Sequence, residues 1–486
     1  MADMAREDRT GLEAWRRAEL PAPPPTQGLH ILAVIGPGAI LLGSAIGSGE
    51  WLVGPAAFVK YGLTLLWVSG VAIFLQTVLN TELVRYTLYT GEPAVIGFMR
   101  TRPHARFWAV FYAALYLLQV GWPAWAGLAA GAVYYLFANQ LPGAGQTGEV
   151  YWIGVGIYLA CVAILLVGRR IERTLELLNW VMVAAILGGL LILCVIVAPA
   201  ERWVATAVGF AGYDWYGGGF SFLPRDADWF LLGAFAAYSG VGGVGNLTLS
   251  NWSRDKGFGM GGVVGYIPTA VAGKAVPLAH CGSIFAPDEA SMVRWRGWWR
   301  IVRADQWGVY FVGALLGMAL PAILYTAMIP PGQDIRGLGV GAALAAAFGA
   351  GTGLAFAVAF LGAWLLFKAQ LDILEGTVRA LTDILWAGSR RVRRWSSGDV
   401  RYVYYGVLAI FVVWGLIAMG MASPIFLLQV SANVAGVVVV VAALHILYVN
   451  TTLLPPELRP PLWRRAALVV LALFYGAFVT LWLSSL

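Results

Sequence analysis

Charge is scarce in this 486-residue sequence: Asp, Glu, Lys and Arg together make up 12%. Soluble domains carry about 25%. That scarcity excludes a soluble multidomain enzyme and an intrinsically disordered chain. Cysteine is nearly missing too. Cys161, Cys194 and Cys281 are odd in number and scattered, which excludes a disulfide framework and any spaced zinc motif. His30, His104, His280 and His445 form no sequence-local ligand pair. No apolar stretch opens the chain. The first thirty residues mix acids and bases and then run into Pro21, Pro23, Pro24 and Pro25, so no cleavable signal peptide is expected. H-E-x-x-H, G-x-S-x-G and Walker A patterns are absent, and no enzyme and no ATP-driven pump is expected. No bound cofactor is implied.

What is there is apolar. Hydrophobic residues make up 60% and the mean hydropathy is +0.75. A spanning helix needs about 20 mostly apolar residues. Eleven segments qualify: 31–59, 62–84, 107–137, 151–168, 174–199, 229–250, 308–329, 353–386, 402–421, 424–448 and 464–485. None alternates with period 2, which argues against a β-barrel. The expected fold class is an all-α integral membrane protein.

The basic residues orient it. With the N-terminus inside, only Lys60, Arg202, Arg225 and Arg336 fall on the outer side, and Lys368 falls within a span. Every other Lys and Arg of the 32 lies inside. That bias is the positive-inside pattern. It places the N-terminus in the cytoplasm and the C-terminus outside, in what is expected to be a bacterial inner membrane. It also explains the net charge of +7 without nucleic acid. The basic runs at 294–303 and 390–394 are topology signals that can touch anionic lipid. The expected partners are the lipid bilayer and a transported ion or small solute. Oligomeric state is not legible.

Two segments are unlike the rest. The first carries Gly36-Pro37-Gly38, Gly43 and then Gly47-Ser48-Gly49-Glu50. The sixth carries Gly233 and then Tyr238-Ser239-Gly240-Val241-Gly242-Gly243-Val244-Gly245-Asn246. Each Gly costs a helix roughly 1 kcal/mol relative to Ala. Irregular backbone survives in a membrane only where it is buried or lines a cavity. The two segments lie five spans apart, so a second copy of a five-span unit is inverted. Interrupted helices at matching positions of inverted halves point to a secondary transporter with its site near the midplane. The bland reading is that these glycines only permit close helix packing.

Charged and polar residues within spans are candidates for function. Glu50 follows the first break and is the candidate metal ligand. Its bland reading is a cap on the second half-helix. Tyr238 and Ser239 face it across the second break. Lys368–Asp372 and Glu375–Arg379 are i,i+4 pairs that can neutralise themselves. Asp372, Glu375, Thr377 and Gln119 are candidates for the pathway or for coupling. Gln119 and Asn433 are either helix–helix glue or cavity lining. Trp51 and Trp252 flank the breaks. Glu82 and Arg85 look structural.

These residues resemble those of the Nramp metal transporters. That family's first helix opens with Gly-Pro-Gly and breaks at Asp-Pro-Gly-Asn, as Gly36-Pro37-Gly38 and Gly47-Ser48-Gly49-Glu50 do in outline. Tyr89-Thr90-Gly91-Glu92 looks like the segment after the family's second helix. Gln370 with Gly376-Thr377 is similar to its eighth-helix pattern. Asn433 and Leu447-Tyr448-Val449-Asn450 are similar to its tenth helix and exit. The resemblance runs from about residue 31 onward. It implies a LeuT-type inverted repeat of 5+5 helices with an eleventh: a cytoplasmic tail at 1–30, a first repeat at 31–199, its inverted copy at 229–450 and a last helix at 464–486.

The departures are chemical. Gly47 stands where the family has its metal-binding Asp, Ser48 for its Pro and Glu50 for its Asn. Ala237-Tyr238-Ser239 replace Met-Pro-His. The soft thioether that favours transition metals is gone. Tyr116 and Gln119 replace the third-helix acids, and no Arg lies between Tyr402 and Met421. The expected site is Glu50 with Gly47, Ser48, Gly49, Ala237, Tyr238, Ser239, Gly240, Gln370 and Asn433. Oxygen-only ligation suits a hard divalent cation, Mg²⁺ ahead of Mn²⁺ or Fe²⁺, moved without proton coupling. Two alternatives stay open: a small organic solute on the same scaffold, and a sensor or scaffold that moves nothing.

Overall fold

The computed structural model describes residues 8–25, 34–47, 49–166, 171–268, 278–336, 344, 347–349 and 352–486. Ser48 lies outside the described residues. Among those described, nine helices are long and apolar enough to cross a membrane. The first and sixth segments are not among the nine because each is split into short helices. The chain is an integral membrane protein of all-α architecture.

The first segment consists of α1 (Pro37–Ile46), a wide π turn (Gly49–Val53) and α2 (Gly54–Tyr61). Next comes α3 (Leu66–Thr90). The third segment, read as one span over 107–137, is one apolar crossing, Ala105–Ala138, built of two helices, α4 (Ala105–Val120) and α5 (Ala124–Ala138). Gly121-Trp122-Pro123 separates them, because Pro123 has no N–H to give and restricts the residue before it. α6 (Thr147–Leu166) and α7 (Ile171–Val197) follow.

The sixth segment is α8 (Trp229–Tyr238) and α9 (Val244–Lys256). Between them the backbone takes φ of +94° at Gly240, +69° at Gly242 and +65° at Gly243. Side chains with a Cβ rarely adopt such values, so the glycine run is what permits the break. The basic stretch at 294–303 is helical. α10 (Glu289–Arg303) passes through a π turn (Ala304–Phe311) into α11 (Val312–Met328). α12 (Gly353–Gly388), α13 (Val400–Ala418), α14 (Pro424–Thr452) and α15 (Leu462–Ser484) complete the bundle.

The 36 residues of α12 make a rod of ~54 Å against a hydrocarbon core of ~30 Å. The helix is therefore longer than the core is thick. The N-terminal segment is more than a tail. β1 (Arg16–Arg17) pairs in parallel with β4 (Ser283–Ile284), and a separate two-stranded hairpin joins β2 (Tyr213–Asp214) to β3 (Gly219–Phe220). Trp15 Nε1 donates to Glu92 at 3.0 Å, and Arg100 reaches Asp8 at 2.8 Å.

Candidate functional site

The two interruptions touch. A Cβ at Gly49 would lie 1.6 Å from the carbonyl oxygen of Tyr238, so only glycine lets the π turn approach the sixth segment. Glu50 is fully buried beside this contact. Neither of its carboxylate oxygens has a hydrogen-bond partner. The favourable groups near it are the backbone amides of Glu50 itself and of Gly240. Gly317 of α11 packs against its Cγ. Among the described residues it is the one buried carboxylate with neither a hydrogen bond nor an ion pair.

Side chains hold the sixth-segment break open. Gln119 Oε1 accepts from the Val244 amide at 2.8 Å, and its Nε2 donates to the Gly242 carbonyl at 3.2 Å. Gln76 Oε1 accepts from the Gly242 amide at 3.0 Å, and its Nε2 donates to the Ser239 carbonyl at 2.8 Å. The Tyr310 hydroxyl accepts from the Val241 amide at 3.3 Å. These contacts satisfy backbone groups that the break frees and that hydrocarbon would leave unpaired. Gln76 and Tyr310 were not singled out in the sequence. A glutamine in the middle of an apolar span was the available signal. Tyr238 donates to or accepts from Ser431 at 2.5 Å, and Ser239 meets Ser69 at 3.1 Å.

On the other side of the break lies a cavity of about 30 Å³, room for a water or two at ~10–15 Å³ each. Ser44, Gln119, Tyr238, Trp252, Asp372 and Thr377 are on its wall. Asp372 is held by Lys368 at 2.5 Å, Asn179 at 3.1 Å and Ser44 at 3.3 Å. The i,i+4 pairing expected of Lys368 and Asp372 is therefore present.

Other expected site residues are elsewhere. Gln370 accepts from the Ala126 amide at 3.1 Å, capping α5 after the third-segment break. Asn433 donates to the carbonyls of Phe230 and Gln429 at 3.0 and 2.9 Å, so it is glue between α14 and α8. Glu375 belongs to a charge network. It accepts from Trp252 Nε1 at 2.7 Å and pairs with Arg379, which also pairs with Asp255. Arg254 joins Asp255 to Asp383, at 2.6 Å to each. Trp51 stacks edge-on to Tyr325, away from the cavity. Gly47 packs on Ala369, and the carbonyl of Ala237 faces Gly242.

Asp305 was not anticipated. It accepts from the amides of Gly36 and Gly38 at 2.9 and 2.8 Å, capping α1 from the π turn ahead of α11. No sequence spacing links residues 269 positions apart.

No family model and no curated protein matches the chain by sequence. Solved structures do match. A crystal structure of the Eremococcus coleocola manganese transporter, in complex with an aromatic bis-isothiourea substituted compound, is 15% identical with a TM-score of 0.63, covering 98% of this chain and 91% of that one. A Glu-to-Gln mutant of the same transporter is 16% identical with a TM-score of 0.65, covering 99% and 91%. A His-to-Ala mutant gives 15%, 0.65, 99% and 91%. At such identity the likeness shows the fold, and it extends over nearly the whole chain.

Proposed function

We propose that the chain is a secondary transporter of a divalent metal cation, with Glu50 as the ligand that carries charge. The observation that carries this reading is the lone carboxylate of Glu50, buried at the junction of two helix interruptions. Burying an unpaired charge is costly, and intramembrane carboxylates pair with other groups or mark an ion pathway. A cation arriving there meets Glu50 together with nearby main-chain oxygen such as the Tyr238 carbonyl. That oxygen-only set favours Mg²⁺ over softer ions. Manganese transport by the E. coleocola protein of like fold supports a metal cargo.

Several features support movement without proton exchange. Gln119 and Tyr116 are neutral, and Gln119 is committed to the break. Asp372 is committed to Lys368. Glu50 is sealed from both sides in this conformation. Access then alternates by motion of the inverted halves about the interruptions, in an inner membrane with the N-terminus cytoplasmic. The cavity beside the break, about 30 Å³, is small for an organic solute, whose sites run to ~300–1,000 Å³; the cavities of about 400 and 620 Å³ are lined by other residues, away from Glu50.

The test is Mg²⁺ and Mn²⁺ uptake into proteoliposomes with the internal pH recorded. Cation entry without acidification, lost in Glu50→Gln, supports the proposal. Folded protein that takes up neither ion sinks it. Binding of either ion without flux turns the reading to a sensor.

A further inference from the structure

The sequence shows no zinc motif, yet the fold assembles three metal-ligand side chains far from Glu50. Glu13 comes from the N-terminal segment. His280 and Cys281 precede β4. One ligand atom from each, a carboxylate oxygen, an imidazole nitrogen and a thiol sulfur, lies within 4.8 Å of the others. Ligands each ~2.0–2.3 Å from a shared Zn²⁺ can be at most ~4.6 Å apart, so small side-chain motions close the site.

The backbone around the cluster is fixed. Ala279 donates to the Val264 carbonyl at 2.9 Å, Gly282 donates to Glu92 at 2.7 Å, and Arg16 donates to the Gly282 carbonyl at 3.0 Å. His280 Nε2 is 2.6 Å from Glu13 Oε2, while Glu13 Oε1 faces Arg393 at 3.3 Å. One carboxylate oxygen can therefore serve a metal while the other keeps its guanidinium. Cys281 is buried and not in a disulfide. His280 and Glu13 are open enough to admit an ion, with side chains 26% and 16% exposed. A small cavity of about 20 Å³ adjoins His280 and Cys281, with space for a water as fourth ligand.

We propose that Glu13, His280 and Cys281 form a Zn²⁺ site that clamps the N-terminal segment to the loop ahead of β4. The sulfur–nitrogen–oxygen donor set suits borderline ions and not Mg²⁺. On binding, the Cys281 thiol releases its proton to water, and His280 donates the Nε2 lone pair with its ring proton on Nδ1. Thiolate and carboxylate together balance the ion's two charges. The clamp is separate from the transport site and stands whether or not Glu50 binds the cargo.

The full chain, purified in detergent and stripped by chelator, is titrated with Zn²⁺ under excess Mg²⁺ in a Glu50→Gln background. The expected result is one Zn²⁺ per chain. Affinity falls at least ~tenfold in Cys281→Ser and in His280→Gln. Co²⁺ produces a thiolate-to-cobalt charge-transfer band, and Zn²⁺ slows proteolysis within residues 8–25. Unchanged Zn²⁺ affinity in Cys281→Ser, or no thiolate band in monodisperse protein, overturns the proposal. Should Cys281→Ser aggregate, the Glu13→Gln/His280→Gln double variant gives the same reading, and unchanged affinity there is equally fatal.

Discussion

The two interruptions that meet at Gly49 and Tyr238 solve one problem in different ways. In the sixth segment, three positions between the helices, Gly240, Gly242 and Gly243, need glycine, and the freed amides and carbonyls are taken up by Gln76, Gln119 and Tyr310. In the first segment the chain widens into a π turn and keeps its own backbone pairing. The carboxylate of that turn, Glu50, is left without a partner. One break is held open by its neighbours, and the other presents a charge. Polarity serves architecture in the first case, while in the second a buried charge is used by no neighbour, and the proposed cargo site rests on that contrast.

The largest expected effect comes from removing that charge. Glu50→Gln should reduce cation uptake to the level of empty vesicles while leaving the thermal midpoint unchanged or higher, because a lone buried carboxylate becomes a neutral amide. A stable variant with normal uptake would make Glu50 as structural as the glutamines. The paired charges should behave in the opposite way. Arg379→Met removes the cationic partner of Glu375 and leaves Asp255 with Arg254 alone, and should cost ~3–5 kcal/mol in a denaturation series.

Smaller effects are expected at the sixth-segment break. Gln119→Ala leaves the Val244 amide and the Gly242 carbonyl unpaired, at ~1–3 kcal/mol. A null result would mean that water replaces the side chain there. The smallest effect concerns pH. Burial alone would raise the Glu92 carboxyl, but the Arg100 guanidinium, with Tyr86 and Trp15, holds it below its ordinary value. A depressed carboxylate contributes stability that is complete above its unfolded value and is lost as pH falls through the folded one. The thermal midpoint should therefore fall as pH drops below ~4.3, and Glu92→Gln should flatten that acid limb while lowering the midpoint at neutral pH. An acid limb of equal slope in both proteins would place the titrating group elsewhere.

Much of this fold was legible because membrane burial writes itself as long apolar runs, and because the two glycine clusters cannot be comfortable helix. The third-segment break was missed. Gly121-Trp122-Pro123 is a short signal inside a long apolar run, and Gln370, which caps the helix beyond it, is more than two hundred positions away. The site was half legible. Glu50 and the Tyr238 region do meet, but Asn433, Gln370 and Glu375 are spent on helix contacts and charge pairing. A buried polar residue looks the same in sequence whether it serves a neighbour or a ligand. Glu13 and His280, 267 positions apart, could not be joined by spacing at all.

Gly43 bears on the chain's freedom to vary. A Cβ added there would fall 1.4 Å from the Lys368 ammonium nitrogen. The two positions share one volume: the space a side chain at 43 would fill is occupied by an amine delivered from α12. Neither residue can drift alone. A related chain with alanine or serine at 43 is expected to carry a shorter residue at 368, and Asp372 would then have to change with it or acquire another counter-charge. Positions 43, 368 and 372 are thus expected to vary as a linked triplet.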